Sequence, residues 1–468
     1  MAETIIRRDF FPVLERMSRP ELDALQLRKL RLRVGRAYDS IPFYRQRYQA
    51  AGVSADDIKS LDDLRRLPLV TKEDILADEA QHPPYGSFLG VPEEAIWEIL
   101  TSSGTSGKGR EVHAFTARDC ALRGSNFAVA FAWSGVSAAD AVIFHVGASN
   151  SASIGSLTRG IRAVGRLPYL VGHAGFDERI DLMLQFGFDA MWCMPSALNG
   201  LSQLLRERGI EPRKQWPKTR SLMIAAESFP VEWVHSMEEF WGCKIYEEYG
   251  ATQAHGGIGM TNCERGAVIG SQRGAMHFFS WTLLFEVLNP DTLEPVKAGE
   301  EGDLVITHLD KEASPLVRFR TRDRVRWFPS TECPCGRCLD FVESGTVGRW
   351  DDMLKVKGQN LFPPQVDRVL FSFASIDEYQ GRLFIDEHGR DNVEVRYALR
   401  ESPSDKSAFE RDLVAALKEE THLTIRVTEV ESQELPHFIT PDQKARRWTD
   451  ERQAGLIKAS TSQSGDSK

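Results

Sequence analysis

The chain has 468 residues, enough for two to four domains of ordinary size or for one large domain with a smaller one. With 42% hydrophobic and 27% charged residues it is composed like a soluble globular protein, and a net charge of −9 argues against a broad nucleic-acid or anionic-membrane surface. No apolar run reaches the ~20 residues that span a bilayer, and the N-terminal stretch lacks the layout of an export signal, so a cytoplasmic protein with reduced thiols is expected.

The first ninety or so residues read as helical. Asp23, Leu25, Leu27, Leu30 and Leu32, set among many arginines, predict a surface helix with one buried stripe. Pro42 disfavours helix at Ile41 and should break it. Ser60, followed by Asp62 and Asp63, and Thr71, followed by Glu73, mark two further helix starts.

Between about residues 95 and 350 short apolar runs alternate with amphipathic segments. AVIFHVG, DAMWCMP, SLMIAAE, CKIYEEYG and GDLVITHL are rich in Val, Ile and aromatics, and Gly, Pro or Asp bounds most of them. Buried strands between helices look like this, so α/β layering is expected. RFRTRDRVRWF and FEVLNPDTLEPVKAGEEGDLVI predict antiparallel hairpins, with Asn289, Pro290 and Asp291 as a turn. From about residue 375 to 430, strand-like pieces surround one helix over residues 407–421, with Phe409, Leu413, Ala416 and Leu417 on one face. The reading is a large domain over 1–350, a small α+β domain over 351–457 and a disordered polar tail over 458–468.

The most informative segment runs from Thr101, Ser102, Ser103, Gly104 and Thr105 to Gly107, Lys108 and Gly109. Hydroxyls, glycines and one lysine let backbone N–H and side-chain O–H groups converge on phosphate oxygens; the alternative is a flexible surface loop. It is not a Walker A loop, because Ser102 stands where the first glycine belongs and Gly109 where Ser or Thr must follow the lysine.

The loop resembles the phosphate-binding loop of the adenylate-forming superfamily. AYDSIPFYRQRY, SLDDLRRLPLVTKEDI, YEEYGATQ, GDLVITHLDKEASPLVRFRTRD and GRWDDMLKVKGQNLFPPQVD are similar, in order, to motifs of the phenylacetate–CoA ligase family, over nearly the whole chain. The resemblance implies a large adenylate-forming domain of layered sheets and helices with a small mobile α+β C-terminal domain. It implies that ATP and an aromatic carboxylic acid form an acyl-adenylate and pyrophosphate, and that coenzyme A then displaces AMP, with Mg2+ accompanying the nucleotide. No nucleic-acid or membrane partner is expected; a homodimer is.

By the same resemblance, Thr101, Ser102, Ser103, Gly104, Thr105 and Lys108 hold the ATP phosphates. Ala226, Glu227 and Ser228, with the stretch from Tyr246 to Tyr249 and Gly250, border the adenine, and Tyr249 stacks on it. Asp323 accepts hydrogen bonds from the ribose hydroxyls, with a salt bridge to neighbouring arginines as the alternative. Arg337 and Arg349 are ribose or hinge contacts. Asp351 is the hinge residue, and Lys444 reaches into the site during adenylation, where otherwise it would be one cation in a basic run. Gln253 stands where the superfamily has an Mg2+-binding glutamate; an amide oxygen can ligate Mg2+ but carries no charge. His255 is read as a structural histidine, with a base near the acceptor as the alternative.

Cys333, Cys335 and Cys338 are close enough in sequence to share one structural zinc. The resemblance implies Cys263 as the first choice for the fourth ligand, with His277 as the second; the alternative is unligated thiols. The resemblance implies residues 144–156 and 193–200 as walls of the acid pocket, and their small and polar residues suit a compact polar-substituted aromatic acid. Two other classes compete: an adenylating enzyme that passes its acyl group to a carrier protein, an amine or another small nucleophile, and a catalytically weakened binding protein.

Overall fold

The computed structural model describes residues 7–102, 109–137, 142–145 (backbone only), 154–165, 167–172, 174–350, 353–356, 359–386, 390–435 and 447–452. Its first long helix, Arg19–Ser40, opens on a capping box in which the Glu21 carboxylate accepts from Ser18 N at 2.7 Å. The buried stripe passes through Leu22, Gln26, Leu30, Val34 and Ala37, a spacing of three and four residues. Leu32, expected on that stripe, is instead 60% exposed. Gln26 takes the place an apolar residue would hold because its Nε2 donates to Ser280 O at 2.8 Å. Ile41 is extended and Pro42 opens the next helix, Pro42–Ala51, as the sequence predicts. Ser60 caps a 3-10 turn over Leu61–Arg66, and Thr71 caps the helix Lys72–Gln81 through Asp74 rather than Glu73.

A two-stranded hairpin follows, β1 (Glu98–Thr101) and β2 (Val112–Phe115). The central sheet then takes β3 (Val142–His145), β4 (Leu167–Leu170), β5 (Ala190–Cys193), β6 (Ser221–Ala225), β7 (Lys244–Ala251) and β8 (Gly257–Asn262). After the two-residue arms β9 (Val268–Ile269) and β10 (Gln272–Arg273) it adds β11 (Ala275–Phe278), β12 (Leu283–Leu288), β13 (Glu301–His308), β14 (Phe319–Phe328), β15 (Phe341–Glu343) and β16 (Gly348–Arg349).

The strand order is 12-13-14-15-11-8-7-6-5-3-4, with β16 beside β14. Strands β3 to β7 are parallel, and helices Ile154–Ala163, Phe176–Phe186, Pro195–Glu207 and Val231–Trp241 connect them. This half is the α/β layering expected from the short buried runs; β5 and β6 are buried at every position. From β8 onward the sheet is antiparallel. The Asn289 side chain accepts from Asp291 N and Thr292 N, both at 3.0 Å, and turns the chain out of β12.

The remaining strands are β17 (Leu354–Val356), β18 (Gln359–Leu361), β19 (Ile376–Ile385), β20 (Asp391–Leu399), β21 (Arg426–Glu429) and β22 (Trp448–Asp450). The last four form a separate sheet in the order 21-20-19-22. The helix Lys406–Thr421 buries Leu413 and Leu417 against it, with Phe409 and Ala416 half-buried, and Asp405 caps its start through Ala408 N at 2.9 Å. Val356, Leu361, Val366, Tyr379, Val395 and Leu417 share one core. Among the described residues no helix is long and apolar enough to cross a membrane.

Candidate active site

In an open α/β sheet ligands bind outside the carboxyl ends of the parallel strands, where the strand order reverses. Here the order reverses at β3, which is flanked by β4 and β5. The carboxyl ends of β6 and β7 carry Ala226 to Ser228 and Tyr249 to Gln253, the residues singled out in the sequence.

The β1–β2 hairpin brings Ser102 and Glu111, which flank the segment read as phosphate-binding, to the same edge. Thr101 pairs with Val112 at its mouth, Ser102 N donates to Glu111 O at 3.0 Å, and Glu111 N donates to Ser102 Oγ at 2.9 Å. These bonds clamp the two ends of the loop. Ser103, Gly104, Thr105 and Lys108 lie outside the described residues. Gly109, with φ at +117°, adopts a backbone conformation that side chains strain.

Gln253 closes the link between hairpin and sheet: its Nε2 donates to Glu111 Oε2 at 2.6 Å. A carboxylate only accepts, so the amide must turn its NH2 toward Glu111. The Gln253 carbonyl accepts from His308 Nε2 at 2.8 Å, and His308 Nδ1 accepts from Leu316 N at 2.9 Å, which fixes that tautomer. His255 is fully buried with its ring 4.5 Å from that of His308, and burial pushes its pKa down to about 3. It is a neutral packing residue, as the structural reading expected.

On β14, Asp323 is buried and accepts from the Tyr249 hydroxyl; its backbone N donates to Thr321 Oγ1 at 3.0 Å. Burial pushes the Asp323 carboxyl up, while Arg349, Tyr249 and Thr321 pull it down. Arg349 sits opposite Asp323 in the β14–β16 pairing, with its Nε 3.8 Å from the carboxylate. Gly250 has no room for a side chain, because a Cβ would lie 2.0 Å from Gly257 O. Ala226 bends with φ at +75°, and the Glu227 carboxylate accepts from Ser196 N at 2.8 Å and Ser196 Oγ at 2.9 Å, tying this turn to the helix Pro195–Glu207. Glu227 also acts electrostatically on Asp367 and Arg447 of the C-terminal elements. Asp351 and Lys444, expected at the hinge and in the site, lie outside the described residues, as does most of the pocket wall over 144–156.

Arg337 is not at this edge. Its guanidinium pairs with both oxygens of Glu264 at 2.6 Å and lies 3.9 Å above the Trp133 ring. With its face and its edge taken by protein it has no fork left for a ribose, and that expectation is corrected.

The cysteine cluster is also corrected. Cys263, His277, Cys333 and Cys335 place one ligand atom each within 4.8 Å of one another, all buried, and Cys338 is not among them. The β8–β11 pairing sets His277 opposite Thr261, two residues before Cys263, and the turn between β14 and β15 brings Cys333 and Cys335 over both. Cys263 Sγ lies 3.9 Å from Cys333 Sγ, and Cys335 Sγ lies 3.5 Å from His277 Nε2. A tetrahedral zinc with bonds of ~2.3 Å to sulfur and ~2.0 Å to nitrogen spaces its ligands about that far apart. His277 Nδ1 donates to Leu339 O at 2.7 Å, which turns Nε2 toward the three thiols. Residue spacing favoured the nearby Cys338; strand register, invisible in the spacing, brings His277 instead.

Glu111 was not singled out in the sequence. Glu111 and His113, on either side of Val112, are both fully buried, which is unusual for a carboxylate, and no local sequence signal marks it.

The AMP-binding enzyme family matches residues 64–308, and the AMP-binding enzyme C-terminal domain matches residues 358–452. The phenylacetate-coenzyme A ligase of Pseudomonas putida is 31% identical over 412 residues, covering 86% of this chain and 88% of that one. The phenylacetate-coenzyme A ligase of Escherichia coli (strain K12) is 30% identical over 394 residues, covering 83% and 85%. A crystal structure of 2-hydroxyisobutyryl-CoA ligase in the postadenylation state superposes with a TM-score of 0.84 at 22% identity, covering 99% of this chain and 97% of that one, so the two share a fold.

Proposed function

Because the chain belongs to the AMP-binding enzyme family, with phenylacetate-coenzyme A ligases as relatives along most of its length, we propose that its substrate is an aromatic carboxylic acid and its acceptor coenzyme A. It is an AMP-forming acid–CoA ligase. The acid's carboxylate oxygen attacks the α-phosphorus of ATP and pyrophosphate leaves. The thiol of CoA then attacks the acyl carbon, forming the thioester as AMP departs and the thiol proton is released.

The observation that carries the site assignment is the convergence of distant segments on one sheet edge. Glu111 to Gln253 and Tyr249 to Asp323 are the hydrogen bonds that join them. This supports a nucleotide laid along the edge, with its phosphates under the loop from Thr101 to Lys108. Asp323 is the ribose acceptor: a buried carboxylate with two oxygens suits two vicinal hydroxyl donors. Tyr249 holds that carboxyl in place through its own hydroxyl, and Arg349 acts against the rise in its pKa that burial causes. Ala226, Glu227, Ser228 and Gly250 border the base by their backbones, and the absent side chain at Gly250 admits the Gly257 carbonyl beside it.

Lys444 is the cation of the adenylation step. It precedes by three residues Arg447, which lies within the electrostatic reach of Glu227 at the nucleotide edge. A lysine there neutralises charge between carboxylate and α-phosphate, two anions that otherwise repel. Asp351 is the hinge about which the small domain, residues 351–457, turns between half-reactions. Mg2+ bound to the triphosphate offsets its charge. Cys263, His277, Cys333 and Cys335 hold one structural Zn2+, with no open position for chemistry. A carrier-protein or amine acceptor is the competing reading, and nothing at the described edge favours it.

The test is pyrophosphate release from ATP with a panel of aromatic acids, followed by product analysis with CoA present. Acid-dependent pyrophosphate and acyl-CoA support the reading. Release that ignores every aromatic acid, or an adenylate that CoA never consumes, overturns it.

A further inference from the structure

Glu111 is buried to zero exposure beside the mouth of the phosphate loop. Its Oε2 accepts from Gln253 Nε2 at 2.6 Å and lies 3.9 Å from Lys72 Nζ. Its Oε1 is buried with no hydrogen-bond partner among the described residues. Burial raises its pKa, and the neighbouring Ser102 hydroxyl acts most strongly against that rise, followed by Lys72, Gln253 and Arg349. An ionised oxygen in such a place needs a cation or a donor.

Gln253 supplies the other half of the argument. By the family resemblance it stands where a carboxylate would hold Mg2+, yet it is a neutral amide, and its NH2 is spent on Glu111. A carboxyl group is therefore present at this spot, contributed by the hairpin rather than by the turn after β7. Mg2+ prefers charged oxygen ligands and accompanies every ATP.

We propose that Glu111 supplies the anionic oxygen that holds the nucleotide's Mg2+, through its unpartnered Oε1, and that Gln253 is the positioning residue that orients it. This rests on the ligase reading above and adds to it a residue and a relocation of charge.

The experiment is calorimetric titration of the α,β-methylene analogue of ATP into the whole protein, with and without Mg2+, for the wild type, Glu111→Gln and Gln253→Glu. In the wild type Mg2+ should tighten binding. Glu111→Gln, nearly isosteric, should remove at least tenfold of that Mg2+ enhancement while leaving affinity for the metal-free analogue unchanged or higher, because one repelling charge is gone. The double variant with Gln253→Glu should recover the enhancement. A purely structural role would weaken both forms equally, and that result overturns the proposal, as does an enhancement that survives Glu111→Gln. If Glu111→Gln does not fold, Gln253→Met decides: with the donor that orients Glu111 removed, the Mg2+ enhancement should fall at least severalfold, and an unchanged enhancement overturns the proposal. A wild type that binds no nucleotide in either buffer overturns the ligase reading itself, a separate failure.

Discussion

Asp323 shows what one residue does at the edge and what it costs. A carboxylate with its pKa pushed up by burial is kept there by the Tyr249 hydroxyl and by Arg349. Asp323→Ala should weaken ATP binding by ~10- to 100-fold, the equivalent of ~1.5–3 kcal/mol for hydrogen bonds to a charged group. Calorimetry with the ATP analogue checks this; unchanged affinity would return Asp323 to a salt-bridge role. Lys311 is a different case. It is fully buried over the Phe115 ring with no hydrogen-bond partner for Nζ among the described residues, and burial lowers its pKa from 10.5 to about 7. Between those values the unfolded chain binds a proton that the folded chain does not, so this group's penalty is full below pH about 7 and shrinks as pH rises toward 10.5. Lys311→Met should stabilise the protein at pH 6.5 by on the order of 2 kcal/mol, and less at pH 9. Denaturant midpoints at both values check it, and destabilisation at pH 6.5 would contradict it. Neither Lys311 nor Glu111 stood out in the sequence, because nothing local says that a charged residue is buried. Asp323, Tyr249 and Gln253 stood out because they lie inside ordered motifs.

At the scale of elements, periodicity located strands and helices well where one face is buried. The helix Lys406–Thr421 and the runs around β5, β6 and β7 sit where the pattern predicts. It misjudged the stripe of Arg19–Ser40, where Gln26 reaches a backbone carbonyl and so earns a core position that composition denies it. The turn between β14 and β15 shows the same limit, since the meeting of Cys333 and Cys335 with Cys263 and His277 depends on the register with β11. Zinc should therefore be present at about one equivalent per chain. It should be lost in Cys335→Ser and in Cys263→Ser, each with a fall in melting temperature, and kept in Cys338→Ser. Elemental analysis of the three purified variants checks this. Zinc lost from Cys338→Ser but retained in Cys263→Ser would contradict the assignment.

For the whole molecule, one large sheet and a separate four-stranded sheet give the two bodies that a two-step reaction can use in turn. The class of fold was legible because buried parallel strands and half-buried antiparallel ones pattern differently. The wrapping of β1–β2 onto the sheet edge was not, since it depends on the hydrogen bond between Glu111 and Gln253, residues far apart in the chain. If the small domain serves adenylation through Lys444, then Lys444→Ala should slow acyl-adenylate formation by ~100-fold or more while sparing thioester formation from supplied acyl-adenylate. Equal loss in both halves would remove that role.

The most direct measurement of the central claim follows the purified protein with ATP, Mg2+ and a panel of aromatic acids, with and without CoA, by quantifying pyrophosphate, AMP and acyl-CoA. The account predicts pyrophosphate release that depends on an aromatic acid, and acyl-CoA and AMP in equal amounts once CoA is added. Acid-dependent pyrophosphate with an adenylate that CoA leaves untouched, while an amine or a carrier protein consumes it, would contradict it.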